Sequence, residues 1–180
     1  MDDHELVRQC LNGQTHAFGI LVDRYQKPLY NTALRMVKNA QDAEDVTQIA
    51  FLKAYEGLDS FNPSYRFFSW IYRITVNESL NLVKGRRSVS GLDGRDWADE
   101  TSSEDDAGAF ETNDRLEMAL GYLTPEDRAI VLLKHVEGFS YDEIAYVFDI
   151  SLTLVKSRLY TARQRLKDAM LRQRMVQKNG

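Results

Sequence analysis

The chain has 180 residues, enough for one domain or two small ones, and its 43% apolar and 28% charged composition is that of an ordinary globular protein. Its one cysteine, Cys10, excludes an internal disulfide and suits a reducing compartment. No apolar run approaches the roughly 18 residues of a membrane span and the start MDDHE is unlike a signal peptide, so the cytoplasm is the expected location.

Residues 3–12 read as a first helix ending at Asn12-Gly13, a suitable C-cap. His4, Cys10 and His16 match no standard metal-site spacing, and no metal or other cofactor is expected. Residues 14–38 carry Phe18, Leu21, Val22, Tyr25, Leu29, Leu34 and Val37 at helical spacing; Pro28 predicts either a kink or two helices. A third helix, 42–57, opens on Asp42 with two further acids, placed to complement its positive dipole end. After a loop with Asn62-Pro63, residues 66–85 form the fourth.

The fourth helix has two sides. At 100° per residue, Trp70, Arg73, Ile74, Asn77, Asn81 and Lys84 share a sector of about 100°. Ile71, Tyr72, Thr75, Val76, Ser79, Leu82 and Val83 lie opposite and are expected to pack inward. A ring, amides and cations on one face suit an unpaired nucleic-acid strand, because rings stack on bases, amides bond their edges and cations hold phosphates. Phe61, Tyr65, Phe67 and Phe68 just upstream add further stacking surface. Aromatics at helical spacing fit a core equally well. Two amides in mid-helix are harder to explain by packing, since their helix propensity is poor. Arg86 and Arg87 are expected to meet phosphates or solvent.

Residues 88–114 hold nine acids against Arg95, a net of −8, which leaves +4 for the rest of a chain whose total is −4. Rich in Ser and Gly and without periodicity, this stretch reads as a flexible acidic linker between two helical domains, 1–87 and 115–180. No alternating apolar run nucleates a sheet, so the fold class is all-α.

Beyond the linker, 113–122 is expected to be helical. Thr124-Pro125-Glu126-Asp127 starts another helix, with Thr124 as N-cap and Pro125 at the first helical position, and Gly138 stops it. Residues 140–167 then read as a helix-turn-helix. Ser140 and Glu143 form the capping-box pattern, Ile144, Ala145, Val147 and Phe148 give a buried side, and Asp149-Ile150-Ser151 turns the chain. In the second helix Leu152, Val155, Leu159, Ala162 and Leu166 make an apolar stripe. Thr153, Ser157, Tyr160, Thr161 and Gln164 lie opposite, flanked by Lys156 and Arg163 on one side and Arg158 and Arg165 on the other. Base-reading groups edged by cations are what a major-groove helix needs, although an amphipathic helix with a solvated basic face has the same outline. Residues 151–180 hold eight basic residues against Asp168.

DAEDVTQIAFLKAY (42–55), FFSWIYRITVN (67–77), LTPEDRAIVLL (123–133) and GFSYDEIAYVF…VKSRLYTAR (138–163) together resemble the extracytoplasmic-function sigma factors of bacterial RNA polymerase. The resemblance implies two helical domains, no catalysis of the chain's own, and promoter specificity lent to the polymerase core through its clamp helices and flap region. It places Asp42, Glu44, Asp45, Gln48, Phe51 and Leu52 on the polymerase-docking surface. Phe61 and Asn77, with Trp70, Arg73, Asn81 and Lys84, fall at the minus-ten element, where holding extruded bases favours melting. Thr153, Lys156, Ser157, Arg158, Tyr160, Thr161, Arg163 and Gln164 fall at the minus-thirty-five element. An anti-sigma factor is a further implied partner. Ser151, Thr153 and Leu154 stand where the family usually has a Pro and a Gly-Thr pair, Thr161 where Arg is frequent, and Ile49 where Glu is common. A stand-alone helix-turn-helix regulator with a dimerising front half is the other reading, and an enzyme lacks any phosphate loop, zinc spacing or triad.

Overall fold

The computed structural model describes residues 1–90 and 117–178, and every regular element among them is helical. They are α1 (Asp3–Leu11), α2 (His16–Val37), α3 (Ala40–Glu56), a 3₁₀ turn (Leu58–Ser60), α4 (Phe67–Ser90), α5 (residues 117–121), α6 (Pro125–His135), α7 (Tyr141–Phe148) and α8 (Leu152–Lys178). Two compact units result, the first of Met1–Val89 with Ala145–Asp149 and the second of the described residues from 117 to 144 and from 150 to 178.

Most helices start where a side chain satisfies an orphan backbone N–H. Asp2 accepts from the Glu5 amide (2.8 Å), Asn39 from Asp42 (3.0 Å), Thr124 from Asp127 (3.2 Å) and Ser151 from Leu154 (3.2 Å). The Ser140–Glu143 capping box forms as expected: the Glu143 amide donates to Ser140 Oγ (3.1 Å) and the Ser140 amide to Glu143 Oε2 (2.9 Å). The cap of α3 is therefore Asn39, and the helix begins two residues before Asp42. At the end of α1, Gly13 has φ 88°; its amide bonds Cys10 O (2.9 Å) while the Gln14 amide bonds Gln9 O (3.0 Å). That pair of bonds is the glycine-dependent C-cap which Asn12-Gly13 predicts.

Pro28 neither splits nor ends α2, which runs unbroken to Val37 and leaves only the Arg24 carbonyl without its usual donor. Helix α2 packs on both α1 and α3. Its apolar side, Phe18, Leu21, Tyr25, Leu29, Ala33 and Met36, is buried with Ala43, Val46, Ala50 and Ala54 of α3. From α4 come Phe67, Ile71, Tyr72, Val76 and Leu80. Leu82 and Val83, expected inside, are only half-buried, and Leu80 fills that place. Buried hydroxyls of Thr47, Thr75 and Ser79 donate to carbonyls four residues back, which removes their polar cost. Helix α4 continues to Ser90, past residue 88 where the linker is expected to begin; the linker reading from residue 91 lies outside the described residues.

In the second unit α6 packs along α8. Leu120, Leu123, Ile130, Leu133, Phe139, Ile144, Val155, Leu159 and Ala162 form its core. Gly138 (φ 72°) follows the end of α6, and Asp149 (φ 53°) makes the turn between α7 and α8. The apolar stripe of α8 holds at Val155, Leu159 and Ala162. Leu152 at its head is exposed and Leu166 is half-buried, so the stripe is buried over fewer turns than the spacing implies.

Candidate nucleic-acid and polymerase interfaces

The outer face of α4 divides as its helical wheel predicts, and burial sorts its residues further. Asn77, Asn81 and Lys84 are exposed, while Trp70, Arg73 and Ile74 are half-buried. The rings upstream are a cluster. Phe61 is 8% exposed, with His4 at 5.7 Å, Phe67 at 5.8 Å and Trp70 at 5.4 Å between ring centroids. Phe67 is fully buried and lies 5.6 Å from Trp70. Phe61, expected in the minus-ten surface, is therefore packed among His4, Phe67 and Trp70 and presents little of its ring to the outside in this structure. Offset and edge-on packing among these rings favours that burial. Tyr65 is 42% exposed, and its ring stacks on that of Tyr146 at 3.9 Å.

Helix α3 shows a mixed acidic and apolar surface. Glu44, Asp45, Gln48 and Leu52 are exposed, Leu52 by 57%. Ile49 and Tyr55 extend the same side, and Tyr55 packs its ring edge-on against Phe18 at 5.0 Å. Charged rim and unpartnered apolar groups at the centre suit docking on another protein. Two residues expected there are engaged within the unit. Phe51 is buried against Phe18, their centroids 6.3 Å apart. Asp42 is ion-paired with Arg86 of α4, whose guanidinium also donates to Val37 O (3.4 Å). Asp42 and Arg86 therefore join α3, α4 and the end of α2. Glu78 and Lys53 bind α4 to α3 a second time (2.5 Å). Neither partner of the Asp42–Arg86 pair is apparent from its own helix; only the fold brings them together.

On α8 the polar face is open: Thr153, Lys156, Ser157, Tyr160, Thr161, Arg163 and Gln164 are exposed, Tyr160 by 66%. Ser151 supplies the cap that makes this helix start where it does, so the family's missing Pro and Gly-Thr pair do not prevent a defined first turn. The two flanks differ. Lys156 lies over the Tyr141 ring (5.9 Å), which Lys134 also approaches (4.5 Å), and Arg163 sits 3.3 Å from His135 Nε2. Burial, then Arg163, then Lys134 push the His135 pKa down, so the ring is neutral and Nε2 can accept. Arg158 is half-buried and faces Asp127 of α6 (4.0 Å), as does Arg165 (3.6 Å). Arg158, expected at the DNA surface, thus faces a carboxylate on α6 in this structure. Asp127, His135 and Tyr141 are the residues the sequence does not single out, since each acts from another helix.

A capped helix-turn-helix with an exposed polar face, and a separate helical unit with an amide-and-cation face, have the make-up of an all-helical, two-unit DNA-binding protein. The Sigma-70 region 2 family matches residues 21–89 and the Sigma-70 region 4 family matches residues 113–166. The chain is 33% identical to the ECF RNA polymerase sigma-E factor of Escherichia coli (strain K12) over 176 residues, 91% of this chain and 92% of that protein. It is 28% identical to the ECF RNA polymerase sigma factor SigW of Bacillus subtilis (strain 168), across 89% of this chain and 92% of SigW. Among solved structures, CnrH in complex with the cytosolic domain of CnrY superposes with a TM-score of 0.71 at 28% identity, covering 92% and 95% of the two chains. The sigma factor RpoE of Bartonella quintana, in complex with the anti-sigma factor NepR, gives 0.68 at 26% identity, covering 85% and 96%. The chain belongs to the extracytoplasmic-function sigma factors. It is an alternative sigma factor that directs transcription initiation by RNA polymerase, and among the described residues no helix is long and apolar enough to cross a membrane.

Proposed function

We propose that the work is divided by surface. Helix α8 enters the major groove of the minus-thirty-five element with Thr153, Ser157, Tyr160, Thr161 and Gln164 toward the bases and Lys156 and Arg163 toward phosphates. Helix α4 holds the melted minus-ten strand: Trp70 offers a ring, Asn77 and Asn81 bond base edges, and Arg73 and Lys84 meet the backbone. On α3, Glu44, Asp45, Gln48 and Leu52 dock on the polymerase clamp helices, while the second domain, residues 115–180, meets the flap region. The observation that carries this reading is the exposed polar face of α8, capped by Ser151 and edged by cations. The chain itself contributes no catalysis; it works in the cytoplasm and redirects the polymerase. Because CnrH and RpoE were each solved with a partner, CnrY and NepR, an anti-sigma factor is the expected regulator of this chain too.

Core polymerase reconstituted with the chain should initiate at promoters that core alone ignores, read by sequencing the transcripts. Co-migration on a sizing column without new start sites would leave polymerase binding intact and remove promoter recognition.

A further inference from the structure

Helix α8 carries cations on both flanks of its polar face, and among the described residues a carboxylate faces only one flank, where it offsets one of two charges. Asp127, the third residue of α6, has a side chain 13% exposed, and its amide donates to the Thr124 cap. Its carboxylate lies 4.0 Å from the Arg158 guanidinium and 3.6 Å from that of Arg165. Those two arginines are seven residues apart, two turns, so a single carboxylate on the neighbouring helix spans both. Lys156 and Arg163, on the opposite flank, face an uncharged ring and a neutral imidazole instead.

Two ion pairs at these separations, with both guanidinium groups more than a third exposed, add little to stability. Their larger effect is on DNA. Phosphate contacts are independent of sequence, and each one made by a free cation raises affinity for any duplex. A carboxylate that holds two such cations removes sequence-blind attraction and leaves base contacts a larger share of the total.

We propose that Asp127 is a specificity-determining residue: it holds Arg158 and Arg165 against α6 and so keeps them from DNA phosphates. This rests on α8 being the helix that meets duplex DNA. Its consequence runs opposite to that of a merely structural carboxylate, because loss of Asp127 strengthens binding to the wrong DNA.

The test uses the full chain and a 20-base-pair duplex of scrambled sequence, with affinity followed by anisotropy across a salt series. Asp127→Asn keeps the side-chain shape and the N–H bond to Thr124. It should bind the duplex several-fold more tightly at ~0.1 M salt and steepen the log–log salt slope by about 1 to 2, the range for one to two added phosphate contacts. Arg158→Ala with Arg165→Ala, added to Asp127→Asn, should restore the wild-type slope. In the wild-type background, each arginine variant alone should change the slope less than Lys156→Ala does. With reconstituted polymerase, Asp127→Asn should also lower discrimination between its own promoters and scrambled competitor. Unchanged or weaker duplex binding by folded Asp127→Asn overturns the proposal. So does a slope loss in Arg158→Ala equal to that of Lys156→Ala, a comparison that does not need Asp127→Asn to fold. If Lys156→Ala and Arg163→Ala leave the slope untouched, the assignment of α8 to DNA fails as well.

Discussion

Asp42 and Arg86 separate two meanings that an acid on α3 can have, docking surface or internal fastener. The structure gives the pair side chains 20% and 48% exposed, so solvent screens it and its coupling should be about 0.5–1 kcal/mol. Arg86→Ala also removes the bond to Val37 O and the packing of its stem, and should cost about 1–2 kcal/mol in all. Asp42→Ala should cost less, because Asn39 continues to cap α3. In a unit of this size 1 kcal/mol moves the midpoint by roughly 4–8 °C. The assay is a double-mutant cycle by urea unfolding in a Trp97→Phe background, where Trp70 alone reports the first unit. The double variant should be less destabilised than the sum of the singles. Glu44→Ala and Asp45→Ala, fully on the surface, should unfold within about 0.5 kcal/mol of wild type yet bind core polymerase more weakly. Additivity of Asp42→Ala and Arg86→Ala, or a polymerase defect in Asp42→Ala without loss of stability, would refute the fastener.

Three further outcomes follow from the same surfaces. Asn77→Ala should reduce open-complex formation by about 1–3 kcal/mol, the worth of a base-edge contact, with closed binding little changed; permanganate footprinting tells them apart, and equal losses would remove Asn77 from base capture. Ser151→Ala should cost about 1 kcal/mol and Ser151→Gly only a few tenths, with faster hydrogen exchange at the Leu154 amide; unaltered exchange there would contradict the cap. The His135 pKa lies below the ordinary histidine value of 6.5, so on acidification the unfolded chain takes the proton first. The stability it contributes is complete above about pH 6.5 and is lost as pH falls through the lowered folded value, while the new charge beside Arg163 should steepen the DNA salt slope. NMR titration of the His135 ring checks this, and a pKa raised above 6.5 would sink it.

The local features were legible because they depend on residues three or four apart. The capping box at Ser140–Glu143, the Thr124 cap, the Asn12-Gly13 ending and the two-sided α4 all follow from spacing alone. Features that failed are tertiary. Pro28 predicts a kink or two helices, but in the structure one helix runs through it with α1 and α3 packed on α2, and it costs a single carbonyl donor. Phe51 and Phe61 occupy the positions the family resemblance assigns to contact surfaces, but their large apolar area is removed from water within the unit itself. Arg158 falls on a basic flank by wheel geometry, and only the approach of α6 reveals its counter-charge.

A common rule links these corrections. Residues lost from the expected surfaces either carry large rings that the fold buries or meet an opposite charge on another helix. What remains exposed is a smaller set of amides, hydroxyls and one flank of cations, each worth little alone. Such surfaces bind weakly if separated, and their joint strength comes from being presented together, since engaging one raises the effective concentration of the other. A flank partly offset by Asp127 fits that arrangement. On the proposed assignment of surfaces, an α8 that gripped every duplex with all its cations would engage the second unit at random sites, and base contacts by Asn77 and Asn81 would have nothing to add. Weak, selective contact in each unit is then what would allow the pair to discriminate.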